Sequence, residues 1–137
     1  MKTTLIALSL LVLIVLGCNM SEPSSRRTTH ERISTDAESL FAAYEANEVS
    51  ADQRYKDKWL DVSGTIDAIG KDVVDSMYVT LRSGDEFQIG NVQCMFDDKH
   101  QSQLASLRKG QKVTLSGLCS GKFGNVILRQ CEIVKAS

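Results

Sequence analysis

The sequence has little of what metal binding or catalysis requires. It contains only two histidines and four cysteines, and it lacks the closely spaced cysteine or histidine pairs that zinc sites usually contain. The nearest mixed pair is Cys94 and His100, while His30 lies in a polar segment near the N-terminus. No glycine-rich phosphate-binding spacing occurs, and no nucleophile, base and orienting residue can be assembled. We therefore expect no metal, no cofactor and no enzymatic activity.

Long apolar runs are also scarce, and the one that exists lies at the N-terminus. It follows Lys2 and covers residues 5–17, which is 13 residues and shorter than the roughly 20 that span a bilayer. A positive charge, a short apolar segment and a small residue at its end are typical of a secretory signal. We predict that residues 1–17 are a cleaved signal peptide, with a short membrane anchor as the alternative.

A cysteine follows this segment directly, in the order Val15-Leu16-Gly17-Cys18. The tetrapeptide resembles the lipobox of bacterial lipoproteins, although Val15 and Leu16 depart from its commonest residues. The resemblance implies that Cys18 is lipidated and becomes the N-terminus, so that its acyl chains hold the protein on a membrane. It predicts an exported protein on the periplasmic or outer surface. The alternative is an ordinary signal that ends in a cysteine by chance.

The segment after the lipobox is polar and predicts a tether. Between Asn19 and Thr35 only Met20 and Ile33 are apolar, and such a composition buries too little apolar surface to fold alone. We therefore assign residues 18–35 to the tether. Residues 36–137 then form one domain, which is large enough for a single hydrophobic core.

Within this domain the periodicity changes from helical to extended. Thr35 and Glu38 form a capping box, and apolar side chains at helical spacing follow it, so we expect a helix over 36–48. Ser50 is expected to cap a further turn that ends at Tyr55. Alternating apolar and polar residues then predict strands, and residues 97–107 predict a helix. The five expected strands are 59–68, 77–82, 87–96, 112–120 and 125–134.

Three strands, a helix and two strands follow the order of the five-stranded OB-fold barrel, the oligonucleotide/oligosaccharide-binding fold. We therefore expect a mainly β protein with an N-terminal helix and a helix between the third and fourth strands. Gly64 and Gly117 lie within predicted strands, where glycine permits the bulges or bends that barrel closure needs. A small α+β sandwich is the structural alternative.

Short motifs along the domain carry a family resemblance. They are AYEANEV at 43–49, AD at 51–52, YKDK at 55–58, VSGTI at 62–66, VQCMF at 92–96, LRKGQKV at 107–113 and CEI at 131–133. Together they resemble the bacterial tRNA_anti-like family of OB-fold lipoproteins, over about residues 36–135. The resemblance implies an exported OB-fold domain of undetermined biochemical role, and it transfers no catalytic residues.

Three cysteines remain for the folded domain: Cys94, Cys119 and Cys131. An exported location permits disulfides, and an odd number leaves at least one thiol. The third and fifth OB strands are parallel neighbours, which places Cys94 and Cys131 at similar height. Cys119 and Cys131 are offset by roughly 10 Å along the last hairpin, beyond the usual Cα separation of a bridge. We expect a Cys94–Cys131 disulfide with Cys119 free and buried; either pairing of Cys119, or no bridge, is the alternative.

OB-folds bind ligands across their second and third strands and between the loops that join strands one–two and four–five. A single-strand nucleic-acid binder also needs stacking aromatic rings in a basic groove, but aromatic residues are only 6% of this chain. The predicted ligand face consists of Tyr78, Thr80, Arg82, Gln88, Lys71, Lys122 and Phe123, and the acids nearby are Asp67, Asp72, Asp75 and Asp85.

These observations predict a lipid-anchored binding module of the cell envelope, without catalysis, whose partner beyond the membrane is a protein, peptide or glycan. The alternative is a single-stranded nucleic-acid binder. The fold favours this alternative, as do the seven basic and one acidic side chains of residues 99–137. Export and the acids around the predicted face argue against it.

Overall fold

The structure, a computed structural model, describes residues 31–85 and 87–137. The predicted signal peptide, Cys18 and most of the predicted tether lie outside the described residues. In chain order the elements are β1 Arg32–Asp36, α1 Ala37–Ala46, α2 Glu48–Tyr55, β2 Trp59–Lys71, β3 Met77–Leu81, β4 Val92–Phe96, a 3-10 turn Asp98–His100, α3 Gln101–Ala105, β5 Lys112–Phe123 and β6 Asn125–Ala136.

Strands β2 to β6 close into a five-stranded barrel. The long strand β2 pairs antiparallel with β5 along its first half and with β3 along its second half. β3 pairs antiparallel with β4, and β5 with β6. The ring closes where β4 runs parallel to β6, with Cys94 opposite Leu128. With α3 between β4 and β5, this arrangement confirms the predicted OB-fold.

The barrel interior is apolar because successive residues of a strand point to opposite faces. Val79 and Leu81 of β3 are fully buried, and so is Cys94 of β4. Helix α1 packs on this core through Leu40 and Phe41, which are also buried. Burying a side chain of this size stabilises the fold by about 1.5–3 kcal/mol, so one continuous core holds the strands and α1 together.

The two glycines singled out in the strands have different roles. The β5–β6 pairing shifts register between Ser116 and Leu118, beside Gly117, and an ideal Cβ on Gly117 would lie 2.6 Å from the Cys131 Sγ. Gly117 therefore permits close approach at a bulge, as predicted. A Cβ on Gly64 would lie 3.1 Å from the Ala37 Cβ, so Gly64 allows α1 to pack against β2.

The described sheet begins before residue 36, the predicted start of the domain. Strand β1 pairs parallel with β2, from Arg32 opposite Trp59 to Asp36 opposite Ser63. Arg32 donates a hydrogen bond from Nη1 to the Ser116 Oγ at 3.0 Å. The sequence pattern conceals this strand because its residues alternate between exposed and only half-buried positions.

Helix α1 also begins one residue later than the capping box predicts. Asp36 rather than Thr35 is the N-cap: its carboxylate accepts hydrogen bonds from the Ser39 N–H and the Ser39 hydroxyl, both at 2.8 Å. These hydrogen bonds lower the pKa of Asp36. In the next helix, Asn47 is the cap and accepts from the Ser50 N–H at 3.0 Å, so the expected turn after Ser50 is helix α2.

The third predicted strand is shorter than expected, because β4 starts only at Val92. Gly90 has a φ of +109°, which an extended strand does not use. The Ser83 hydroxyl donates to the Gly90 carbonyl at 2.6 Å and holds this turn. Phe87 and Ile89 consequently lie in the β3–β4 loop, where they are 93% and 94% exposed.

The cap assignment can be tested with two neighbouring variants. Asp36→Ala should destabilise the domain by about 1 kcal/mol, whereas Thr35→Ala should have little effect because its Oγ1 makes only a 3.5 Å contact with the Asp36 carbonyl. The folded-state pKa of Asp36 is lowered from 3.8. The Asp36→Ala effect should therefore be complete above that pH and disappear as the pH falls through the lowered pKa. Urea unfolding followed by circular dichroism measures both, and a larger loss in Thr35→Ala would contradict the assignment.

Candidate ligand-binding face

One outer face of the barrel corresponds to the predicted ligand surface. Residues directly opposite each other in neighbouring strands share a face of the sheet, and two such rows run from β2 through β3 to β4. The second row continues onto β6. We call these residues the outward face: Gly70, Tyr78 and Met95 in the first row, and Ala68, Thr80, Gln93 and Ile127 in the second.

The tyrosine of the outward face, Tyr78, packs against the backbone of Gly70. An ideal Cβ on Gly70 would be 2.9 Å from the Tyr78 hydroxyl oxygen, so glycine leaves the room that the phenol occupies. Tyr78 is half-buried in this position. Thr80 is only 7% exposed, and its hydroxyl donates to the Ala68 carbonyl at 3.5 Å. Of the two predicted residues on β3, Tyr78 offers contact surface and Thr80 offers little.

A chain of hydrogen-bonded polar side chains crosses the end of the outward face near the β5–β6 hairpin. Asn125 donates from Nδ2 to the Gln93 Oε1 at 2.8 Å, and its Oδ1 accepts from the Asn91 N–H at 2.9 Å. Asn91 in turn donates from Nδ2 to the Asp67 Oδ2 at 3.2 Å. We call Asp67, Asn91, Gln93 and Asn125 the amide chain. It links Asp67 within β2 to the starts of β4 and β6 and holds these side chains in fixed orientations.

Each of the three predicted basic residues contacts an acid. Lys71 Nζ lies 3.0 Å from the Asp75 Oδ1, and Arg82 Nη2 lies 3.6 Å from the Asp67 Oδ1. Lys122 Nζ lies 2.6 Å from the Glu45 Oε1, and this hydrogen bond raises the pKa of Lys122. These pairings reduce the positive field that the predicted face would otherwise offer to phosphate groups.

The structure does not bring all the predicted residues together. Lys122 turns toward helix α1, where its Nζ also lies 5.7 Å from the centre of the Phe41 ring. Phe123 is 92% exposed beside the β5–β6 turn. Gln88 lies in the exposed β3–β4 loop, with its side chain against Gly84. Tyr78 and Thr80 share one side of β3, and Arg82 directly follows this strand, whereas Lys122 contacts helix α1.

Cavities adjoin both ends of the outward face. A cavity of about 230 Å³ joins it to the loops and is lined by Asp67, Arg82, Asp85, Gln88, Asn91 and Lys109. At the other end, a mostly apolar cavity of about 190 Å³ lies between the β2–β3 hairpin and α3, lined by Ile69, Gly70, Lys71, Met77, Gln101, Leu104 and Ala105. An extended ligand on the face would therefore meet a polar cavity at one end and an apolar one at the other.

Sequence reasoning found only Tyr78 and Thr80 among the seven residues of the outward face. Gln93 and Met95 alternate with the buried Cys94 on β4, so strand periodicity could have placed both on the outer side. The contact between Asn91 and Asn125 had no sequence signal, because it depends on the parallel pairing of β4 with β6. The amide chain is therefore a result of the fold, while the Gln93 and Met95 positions were available from the pattern.

The thiol of Cys119 is buried beside two polar side chains of the helices. Cys119 lies 3.5 Å from the Tyr44 hydroxyl, which donates to the Asp52 Oδ1 at 3.1 Å. Burial raises the pKa of Cys119 and that of Tyr44. A thiol with a raised pKa is a poor nucleophile, because the thiolate is the reactive form. This cluster ties α1 and α2 to β5.

Two features do not occur in residues 31–85 and 87–137, the part of the chain that the structure describes. Within these residues, no three histidine, cysteine or carboxylate side chains converge as a metal site would require. No helix there has the length and apolarity needed to cross a membrane. His100, the histidine of the domain, packs edge-on against Phe96 with ring centres 5.7 Å apart.

The amide chain makes a testable contribution to stability. Asn125→Ala removes two side-chain hydrogen bonds. It leaves the Asn91 backbone N–H and the Gln93 side-chain Oε1 without these partners. The expected loss is about 1–3 kcal/mol in the free energy of unfolding. Chemical denaturation measures it, with Gln103→Ala, an exposed amide on α3, as the matched control. Equal stability of the two variants would show that the amide chain does not hold the strand ends.

Comparisons with known proteins find a solved structure of similar fold and a matching family model. A crystal structure of a "putative nucleic acid-binding lipoprotein" from Klebsiella pneumoniae subsp. pneumoniae MGH 78578 is similar at 21% identity, with a TM-score of 0.59, 74% of this chain and 92% of that chain covered. Asparaginyl-tRNA synthetase from Pyrococcus horikoshii matches at 14% identity, with a TM-score of 0.43, over 61% of this chain and 20% of that one. No curated protein matches the chain significantly. The tRNA_anti-like family model matches residues 2–132, and the chain therefore belongs to the tRNA_anti-like family.

Proposed function

We propose that this protein is a lipid-anchored, non-catalytic binding module of the bacterial cell envelope, which holds an extended peptide, protein segment or glycan on the outward face. Two observations support the location. The lipobox-like Val15-Leu16-Gly17-Cys18 follows a short apolar segment. A protein of similar fold from K. pneumoniae carries the name lipoprotein.

The observation that carries the ligand proposal is the chemistry of the outward face. It presents a tyrosine ring, a methionine and the Gln93 amide, and the amide chain crosses its end, while Lys71 and Arg82 at its margins are paired with acids. Amides donate and accept hydrogen bonds at once, which suits the peptide groups of an extended chain or the hydroxyl groups of a glycan. A ring with one open side supplies stacking surface for either.

A non-catalytic role is supported by the state of the Cys119 thiol and of the carboxylate beside the outward face. Cys119 is fully buried and its pKa is raised by burial, so it is kept in its unreactive form. Asp67, the carboxylate beside the outward face, is engaged by Asn91 and Arg82. Cys119 and Asp67 therefore contribute to the stability of the fold. The outward face is proposed to bind a ligand without reacting with it.

A second candidate is the binding of single-stranded nucleic acid. The name of the K. pneumoniae lipoprotein favours it, and the OB-fold is compatible with it. Such binding needs several cations along the backbone and stacked aromatic rings. The outward face contributes one tyrosine, and the ion pairs of Lys71, Arg82 and Lys122 oppose it.

The location is tested by the intact mass of the chain isolated from membranes. The expected mass is that of residues 18–137 plus a diacylglyceryl group, with or without a further acyl chain on the new N-terminus. Cys18→Ser should retain residues 1–17 and carry no lipid, because the thioether needs sulfur. A wild-type chain with residues 1–17 intact and no lipid would contradict the proposed anchor.

The ligand class is tested with detergent-purified full-length chain immobilised on a sensor. Three probes are compared: cell-wall oligosaccharides, a library of extended peptides and a single-stranded oligodeoxynucleotide. We expect a glycan or peptide to bind with little dependence on salt, and Tyr78→Ala to weaken binding about tenfold. Val49→Ala, an exposed apolar residue on α2, is the control and should bind like wild type.

The same measurement separates the two candidates. Oligonucleotide binding that weakens steeply with salt would favour the nucleic-acid candidate. Binding of glycan or peptide that Tyr78→Ala and Val49→Ala affect equally would place the site elsewhere. If neither neutral probe binds, the proposed ligand class is wrong.

A further inference from the structure

Two buried thiols meet where the barrel closes. Cys94 lies in the middle of β4 and Cys131 lies in β6, and both are completely inaccessible to solvent. β4 and β6 are direct parallel neighbours, with Cys94 opposite Leu128. Cys131 follows Leu128 by three residues, and the irregularity between them shortens this offset. Both are free thiols on the inner side of the barrel, and the neighbouring Cys94 thiol, together with burial, raises the pKa of Cys131.

An irregularity in β6 turns Cys131 inward. Leu128 is buried and Arg129 and Gln130 are both exposed before Cys131 is buried again, so the strict alternation of a strand is interrupted by one extra residue. Gln130 has a φ of +53°, a left-handed conformation that is unfavourable for a residue with a side chain. Without this bulge, Cys131 would point to the outer side of the barrel, away from Cys94.

The strand on the other side of β6 makes room for this thiol. Gly117 of β5 lies so close that an ideal Cβ there would be 2.6 Å from the Cys131 Sγ. A side chain at Gly117 would therefore push Cys131 out of its position. The two sulfur atoms are enclosed by β4, β5 and β6.

The third thiol of the domain is occupied elsewhere. Cys119 lies on β5 opposite Leu128, and its sulfur lies 3.5 Å from the Tyr44 hydroxyl of α1. This contact directs Cys119 toward the helices rather than toward Cys94. Cys94 and Cys131 therefore form a candidate pair, while Cys119 has the Tyr44 hydroxyl as its partner.

We propose that Cys94 and Cys131 are a disulfide site, and that the bond forms as the exported chain folds and joins β4 to β6 covalently, while Cys119 stays a thiol. The compartment in which this happens rests on the proposed export. The placement of the two buried thiols on neighbouring strands does not depend on it, because the fold itself creates the pair.

The reaction is a thiol–disulfide exchange with an external disulfide. The thiolate of one cysteine attacks that disulfide, a mixed disulfide forms, and one thiol is released. The second cysteine's thiolate attacks the mixed disulfide and releases the other thiol. The pair loses two protons and two electrons, and the external disulfide takes them up as two thiols. Because both cysteines are inaccessible in the folded domain, the exchange takes place before β6 has docked on β4.

The bond would fix the strands that carry the outward face. Gln93 and Met95 flank Cys94 on β4, and Ile127 lies opposite Gln93 on β6. A covalent link between the inner sides of these strands holds their outer sides at a constant separation. It also closes a long loop, which raises stability mainly by restricting the unfolded chain.

Trypsin places the three thiols on separate peptides, which makes the pairing directly readable. Cleavage after lysine and arginine gives residues 83–99 with Cys94, 113–122 with Cys119 and 130–135 with Cys131. The full-length Cys18→Ser chain is unfolded in urea, refolded in a mixture of oxidised and reduced glutathione, alkylated and digested without reduction. We expect a cross-linked peptide 83–99/130–135 and an alkylated peptide 113–122.

Unfolding equilibria give an independent measurement. Reduction should increase the unfolding equilibrium constant of the refolded chain by about 100-fold. Cys119→Ala should keep this response to reductant, and the double variant Cys94→Ala/Cys131→Ala should lose it. If the double variant fails to fold, the peptide map of the Cys18→Ser chain still decides the pairing.

The outcomes separate this proposal from the proposed function. Three alkylated peptides, or a cross-link that contains 113–122, would overturn the disulfide.

Cells are also quenched in acid and the native chain is mapped in the same way. A lipidated chain with Cys94 and Cys131 alkylated would overturn the disulfide while leaving the anchor intact. A chain without lipid that forms the 83–99/130–135 link on refolding would refute the anchor and support the disulfide site.

Discussion

The parallel pairing of β4 with β6 is the constraint on which the other features depend. It closes the barrel with Cys94 opposite Leu128 on the inner side and Gln93 opposite Ile127 on the outer side. At the start of both strands, the Val126 N–H donates to the Asn91 carbonyl at 3.0 Å. The same short contact therefore completes the hydrophobic core, orients the amide chain and brings the two inner thiols together. Removing it would open the barrel and separate all three.

The charges of the chain are arranged so that the outward face stays nearly neutral. The sequence is asymmetric, with acids concentrated in residues 57–98 and bases in residues 99–137, but folding pairs the basic residues of the predicted face with acids. Lys122 leaves the predicted face because helix α1 presents Glu45 to it, and Arg82 contacts Asp67 across the β2–β3 pairing. A neutral face provides little long-range attraction for a polyphosphate, which is why the proposed ligand is a peptide or glycan.

The sequence predicted the barrel because local patterns and fold agree over most of the domain. Strand alternation located every barrel strand, and the glycine at position 117 marked the bulge on the β5–β6 pair. Strand β1 was missed because its residues are at most half-buried, so they carry no apolar pattern. The β3–β4 loop was misjudged because Phe87 and Ile89 are apolar and yet exposed. Of the site, Tyr78 followed from periodicity, but the partners of Asn91 and Lys122 depend on contacts between distant segments that periodicity does not encode.

Amide hydrogen exchange of the native chain tests the central role of the β4–β6 pairing most directly. If this pairing closes and holds the barrel, the amides of Cys94 in β4 and Leu128 in β6 should exchange only through global unfolding. Their opening free energies should then equal the free energy of unfolding measured with denaturant. Exchange of these amides through a smaller opening, while the buried amides of β2 and β3 stay protected, would show that β6 detaches on its own. The barrel would then be held by its antiparallel strands, and the parallel pairing of β4 with β6 would not be its central constraint.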